Sequence, residues 1–178
     1  MINPSWCLTT ARLDLRPCNW ADLADLTRLK ADPRAFALML GGVRNAAQTG
    51  RELAEDIGFW GARGYGVWVV RERGGGGFIG MTGLAERADG RGIALRFAMW
   101  PEARGVGLAR EAASAALFYG HDRAKLARIV AVAREDNFGS RSVLGAIGMI
   151  ECQRFPRDGA VMLVYESVRP PLKQPDLA

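Results

Sequence analysis

The sequence predicts a mixed α/β fold, with one central sheet of about seven strands, antiparallel in its first half, and helices on both faces. Three observations carry this prediction. The segments run strand, two helices, three strands, helix, strand, helix, two strands, so crossover connections fall in the second half. No internal repeat or linker-like stretch divides the chain. Its 178 residues, 49% hydrophobic and 24% charged, suit a single domain with a substantial core.

"ARLDLRP" (11–17) alternates apolar and polar residues, as a half-buried strand does. In "NWADLADLTRLKAD", Leu23, Leu26 and Leu29 stand near helical spacing, with Asn19 as cap and Asp32-Pro33 as stop. Gly41-Gly42 breaks the chain, and a second helix is expected over 47–63, ending before Gly64. "GVWVVRERGGGGFIGMTGLAER" reads as two strands, 67–73 and 78–86, joined by four glycines. "GIALRFAMW" is a further strand closed by Pro101. A long alanine-rich helix follows at about 107–122, then a short apolar strand at 128–133. A short helix at 140–147 comes next, with Asn137 near its start. "MIECQRFPRDGAVMLVYESV" is a closing hairpin that turns at Asp158-Gly159. The chain therefore reads as one domain over 1–178, with its core at about 9–167 and a proline-rich flexible tail at 168–178.

No apolar run approaches the ~20 residues of a membrane span, so no membrane association is expected. The start "MINPSWCLTT" lacks a basic segment followed by an apolar one, so no secretion signal is read there. Cys7, Cys18 and Cys152 are odd in number and far apart, which argues against a disulfide framework or a metal site. A reducing cytoplasm is the expected location. The net charge of +5 and pI near 9.6 invite a nucleic-acid reading, but the basic residues are scattered rather than clustered. Attraction to an anionic small molecule, such as a phosphorylated cofactor, fits that distribution better, and no nucleic-acid partner is expected.

Arg104-Gly105-Val106-Gly107 lies between a strand and a helix. Glycines there free the backbone, and the helix that follows directs its unpaired N–H groups and positive dipole end at the loop. The combination is an anion site. A P-loop requires GxxxxGK[ST], which is absent. A dinucleotide fold requires G-x-G-x-x-G after an early strand, whereas Arg110 occupies the third glycine position here.

The run Arg104-Gly105-Val106-Gly107-Leu108-Ala109 instead resembles the [Arg/Gln]-x-x-Gly-x-[Gly/Ala] pyrophosphate loop of the GNAT acetyltransferase superfamily. "FAMWPEA" before it resembles the "YxLxPE" lead-in of the branch that includes ribosomal-protein alanine N-acetyltransferases. "AREDNFGSRSVLGAIGM" (133–149) resembles that branch's N-x-x-S-x-x-V-L-x-x-x-G-[Phe/Met] signature, and "GYGVWVVRERGGGGFIGMTGL" its paired central strands. The likeness spans about 9–166.

The resemblance implies an N-acetyltransferase that uses acetyl-coenzyme A, with two parallel strands splayed at the cofactor. The acetyl group would pass by direct attack of a primary amine, on a protein N-terminus or a small molecule. It assigns the backbone of Arg104, Gly105, Val106, Gly107, Leu108 and Ala109 to the diphosphate, and Met99 and Trp100 to the strand along which the pantetheine arm lies. The Met99 N–H would donate to the thioester carbonyl. Asn137 matches the family asparagine that contacts the arm, and by its place is also a helix cap. Where many relatives carry a proton-donating tyrosine, seven residues after that asparagine, this chain has Leu144. Ser140 matches the serine given a similar role in the ribosomal-protein branch, and reads equally as a residue of the helix start. The strand glutamate that serves many relatives as base falls at Ala94, leaving Glu86, Glu135 and Asp136 as spare carboxylates. His121, the one histidine, reads as structural. The family's acceptor pocket would place Phe36, Trp60 and Trp68 along one wall. A coenzyme A binding module without transferase activity, acting as a sensor or assembly part, is the alternative. Either would be a monomer or a homodimer.

Overall fold

The computed structural model describes residues 3–169. Eight strands form one sheet in the order β1-β2-β3-β4-β5-β6-β8-β7. They are β1 (Leu8–Thr9), β2 (Leu13–Pro17), β3 (Val67–Glu72), β4 (Phe78–Glu86), β5 (Ile93–Met99), β6 (Arg128–Arg134), β7 (Ile150–Arg157) and β8 (Ala160–Val168). The strand beyond the expected seven is β1, two residues long and too short to show a period. Every neighbouring pair is antiparallel except β5 and β6.

Helix ends follow local chemistry. A 3-10 turn (Trp20–Asp22) leads into α1 (Leu23–Ala31), its start fixed by a capping box between Asn19 and Asp22. Asp32-Pro33 stops α1 and also starts α2 (Pro33–Phe36), an element absent from the sequence expectation. Asp32 accepts from the Arg34 N–H, and Pro33 takes the first helical position, where no N–H is needed. Helix α3 (Ala46–Arg63) opens on an Asn45/Gln48 capping box and closes at Gly64, in the left-handed region. Helix α4 (Leu108–Asp122) starts one residue later than expected. Helix α5 (Phe138–Ala146) starts two residues earlier, because the Asn137 side chain accepts from the Ser140 N–H.

The core joins both faces of the sheet, and its aromatic centre overturns one expectation. Trp60 and Trp68 are 2% and 0% exposed, packed edge to face with ring centroids 4.8 Å apart. Tyr119 packs edge-on against Trp68 at 5.1 Å. The Trp60 indole N–H donates to the Val67 carbonyl at 2.8 Å, and that of Trp68 to the Trp6 carbonyl at 2.7 Å. Buried indoles need such partners. Both tryptophans serve the core here, and neither lines the two cavities described below. His121 joins the end of α4 to β8, its ring nitrogens 2.7 Å from the Leu126 carbonyl and 2.9 Å from Ser167 Oγ.

The tail expected at 168–178 lies outside the described residues from 170 onward. Val168 completes β8, and the Arg169 N–H donates to the Ala127 carbonyl at 2.8 Å. Among the described residues, no helix is long and apolar enough to cross a membrane.

One feature of the sheet positions the site. Strands β5 and β6 pair only at Ala94↔Val130, while on its other edge β6 stays paired with β8 from Arg128↔Val168 to Arg134↔Met162. The sheet is therefore split along the C-terminal half of β5, and the split opens toward the N-terminus of α4.

Candidate functional site

The loop before α4 is shaped by Gly105 (φ 80°) and Gly107 (φ 82°), both in the left-handed region that side chains disfavour. Gly107 is the N-cap of α4 and supplies no capping side chain; the first helical bond runs from the Glu111 N–H to its carbonyl at 3.1 Å. The N–H groups of the first turn thus face the cleft, together with the positive end of the helix dipole. The Val106 side chain is turned to solvent.

Two residues that no local pattern assigns to the site hold this loop. Arg12, just before β2, donates from Nη1 to the Val106 carbonyl at 2.7 Å and from Nε to Glu111 at 2.7 Å. Glu111 also accepts from Thr10 Oγ at 2.5 Å and from the Arg12 N–H at 2.9 Å. Burial alone would raise its carboxyl, but these donors hold it below the ordinary carboxylate value. The partners lie about a hundred residues apart in sequence, beyond the reach of any local signal.

Along the split, Met99 stands opposite Gly80 on β4. The next N–H, that of Trp100, donates to the Ile79 carbonyl at 2.9 Å. Backbone groups alternate between strand edges, so the Met99 N–H is directed at the open side. The Trp100 N–H is committed to the sheet, and Trp100 lies outside the lining of the cleft.

Two cavities meet at this place. One, of about 610 Å³, is lined by Arg34, Met99, Arg104, Gly105, Gly107 and the first turn of α4. The other, of about 470 Å³, is lined by Phe36, Arg44, Glu52, Ala94, Arg96 and Leu144, among others. Leu38, Met39, Phe97, Asn137 and Ser140 line both, so the two cavities adjoin at these residues, the waist between them. Asn137 Oδ1 caps α5, which leaves the amide NH2 as its donor at the waist. The Arg104 guanidinium donates to the Arg34 carbonyl at 2.8 Å and so ties the loop to α2 across the first cavity. Ala94 is buried in a small cluster with Val130 and Val164 and brings no carboxylate. Of the spare acids, Glu135 pairs with Arg154 and Asp136 with Arg134, whereas Glu86 lines the second cavity with one long contact, 3.4 Å, to Arg63.

A diphosphate-bearing thioester cofactor fits these residues. The uncapped N-terminus of α4, two left-handed glycines and three arginines, Arg34, Arg104 and Arg110, line the first cavity. A strand edge with free backbone groups leads from there to the waist.

An acetyltransferase (GNAT) domain model matches residues 12–150. Among solved structures, the chain is similar to an acetyltransferase from Agrobacterium tumefaciens strain C58, at 26% identity and a TM-score of 0.81, covering 92% of this chain and 94% of that one. It shares its fold with a ribosomal-protein-S5-alanine acetyltransferase from Vibrio fischeri, at 14% identity and a TM-score of 0.78, with 94% and 99% covered. It shares it also with Mycobacterium smegmatis RimJ in complex with CoA-disulfide, at 21% identity and a TM-score of 0.72, with 91% and 84% covered. Fold and family together define an acyltransferase enzyme. The chain belongs to the GNAT acetyltransferase family.

Proposed function

We propose that this protein is an N-acetyltransferase that passes the acetyl group of acetyl-coenzyme A directly to a primary amine, on a small molecule or a protein N-terminus. The observation that carries the proposal is the adjacency of two cavities, one running from the uncapped start of α4 along the split beside Met99, the other meeting it at Asn137 and Ser140. The bound CoA-disulfide of the RimJ neighbour supports the cofactor, and the Vibrio fischeri neighbour keeps a protein amine among the acceptors.

Acetyl-coenzyme A supplies an activated carbonyl and a thiol leaving group. The N–H groups from Gly105 to Ala109 bind the diphosphate, and Arg34, Arg104 and Arg110 add positive charge beside it. The open edge of β5 pairs with the amides of the pantetheine arm, as an added strand would. The Met99 N–H donates to the carbonyl oxygen as negative charge gathers on it, which is the electrostatic part of the catalysis. The Asn137 NH2 orients the arm, and the Ser140 hydroxyl holds a proton beside the departing sulfur. With alanine at position 94, the proton released by the amine passes to water in the cavity, Glu86 being the lining carboxylate least committed elsewhere.

Calorimetric titration with acetyl-coenzyme A, followed by thiol release with pooled amines and peptides, tests the proposal. Binding with release from one pool is expected. Binding without release from any pool would favour the non-catalytic module, and absence of binding would refute the cofactor assignment itself.

A further inference from the structure

The second cavity has a charge pattern that selects among amines. We infer that the acceptor is a small amine whose molecule also carries a carboxylate and an apolar group, a ligand of the amino-acid class. This rests on the acetyl-transfer reading above.

The charged lining consists of Arg44, Arg87, Arg96 and Arg157 against Glu52, Glu86 and Asp89. Two of the three carboxylates are each shared by two cations. Glu52 accepts from Lys30 Nζ at 2.7 Å and from Arg44 Nε. Asp89 accepts from Arg91 at 2.7 Å and from Arg87. Neither is left to attract a third positive charge. Burial would raise Glu52, yet Lys30 and Arg44 hold it below its ordinary value. Hydrogen bonds from Arg87 and Arg91 hold Asp89 low as well.

Two arginines, by contrast, keep guanidinium donors that no carboxylate takes up among the described residues. Arg96 donates from one terminal nitrogen to Asp56 at 2.6 Å. Arg96 Nε is itself buried without a partner. Among the described residues, Arg157, at the β7–β8 turn, reaches only the exposed Asp158, at 3.4 Å. These guanidiniums form planar forks suited to a carboxylate. Phe36, Leu38, Met39 and Leu40 form an apolar wall of the same cavity. Its volume of about 470 Å³ lies in the small-molecule range. A polyamine or lysine-rich segment would bring positive charge to a cavity already in cationic excess.

The test compares matched amines that differ in one group: leucine with 3-methylbutylamine and leucinamide, and phenylalanine with phenethylamine. Thiol release is measured at saturating acetyl-coenzyme A, with rates expressed per free-base amine. The carboxylate-bearing member is expected to lead in kcat/KM by about tenfold or more, the scale of one charge-assisted hydrogen bond. Arg157→Gln, which leaves the half-buried Arg96–Asp56 pair in place, should reduce that preference while acetyl-coenzyme A affinity holds. Arg96→Gln should reduce it further. Equal or faster release with the decarboxylated or amidated members, or with a peptide N-terminus whatever its neighbouring charge, overturns the inference and leaves acetyl transfer standing. Silence from every amine and peptide overturns the transfer reading as well.

Discussion

Gly80 and Met99 face each other where the Met99 N–H must stay available, and no side chain fits between them. A methyl group on Gly80 would lie 2.3 Å from the Ala98 carbonyl oxygen and 2.6 Å from Met99 Sδ. The backbone of β5 would have to shift, at a cost of about 1–3 kcal/mol, the usual range for overpacking. Gly80→Ala is therefore expected to lower the unfolding midpoint and to reduce turnover more than acetyl-coenzyme A affinity, since the α4 loop is untouched. Wild-type values for both would detach Met99 from the chemistry. At Gly107 the chain tolerates little else for a different reason. A Cβ there has space, its nearest neighbour being Arg12 Nη2 at 3.5 Å, but φ is 82°. Gly107→Asp would place a carboxylate where the diphosphate is proposed to sit, so titration should show no measurable acetyl-coenzyme A binding while circular dichroism still shows a folded chain. Retained affinity would remove the loop from the site. The left-handed turn at Gly107 and the Asn137 cap of α5 were legible in the sequence because they sit in short local patterns. Trp60 and Trp68 were misplaced because a tryptophan looks the same in sequence whether its indole finds a substrate or a backbone carbonyl.

Helix α4 is held to the sheet at its first turn by an ion pair that has its own pH signature. Glu111 accepts from Thr10 and Arg12, and its carboxyl is lowered in the folded chain from an ordinary value of 4.5. A depressed acid contributes stability that is fully present above the unfolded-state value and is lost as pH falls through the folded-state value. The wild type should therefore lose stability toward acid below about pH 4.5 in part through this group. Glu111→Gln should be less stable by about 1 kcal/mol at neutral pH and show a shallower acid-side decline. Denaturant titrations of both proteins between neutral pH and acid measure the two slopes, and parallel curves would mean that the pair contributes nothing. The same element marks a limit of sequence reading. The start of α4 follows from Gly107, but its tether to β2 joins side chains that only the folded sheet brings together. Helix α2 was hidden differently: Asp32-Pro33 carries both a stop signal and a start signal, and only the first was read.

For the molecule as a whole, periodicity and turn residues made the strands and helices legible, but not which strand inserts where. The closing hairpin was read correctly as β7 and β8, yet its second strand, not its first, pairs with β6. That choice follows from burial: β8 is inward and apolar over Met162, Leu163, Val164 and Tyr165, whereas β7 is mostly exposed and suits the edge. The three cysteines sample this packing. Cys7 and Cys152 are exposed and Cys18 is 4% exposed, just beyond β2. Burial, aided by the negative charges of Asp56 and Asp22, pushes the Cys18 thiol up to about 12. Thiol reagents attack thiolates that they can reach, and Cys18 offers neither access nor charge near neutral pH. The native protein at pH 8 should therefore show two fast-reacting thiols, and the third only in denaturant or at the slow rate of global opening. The third rate should also track the stability losses of Gly80→Ala and Glu111→Gln, because it reports the same unfolding. Three fast thiols in the native state would mean that the layer over β2 opens on its own, and that the folded core is not one cooperative unit.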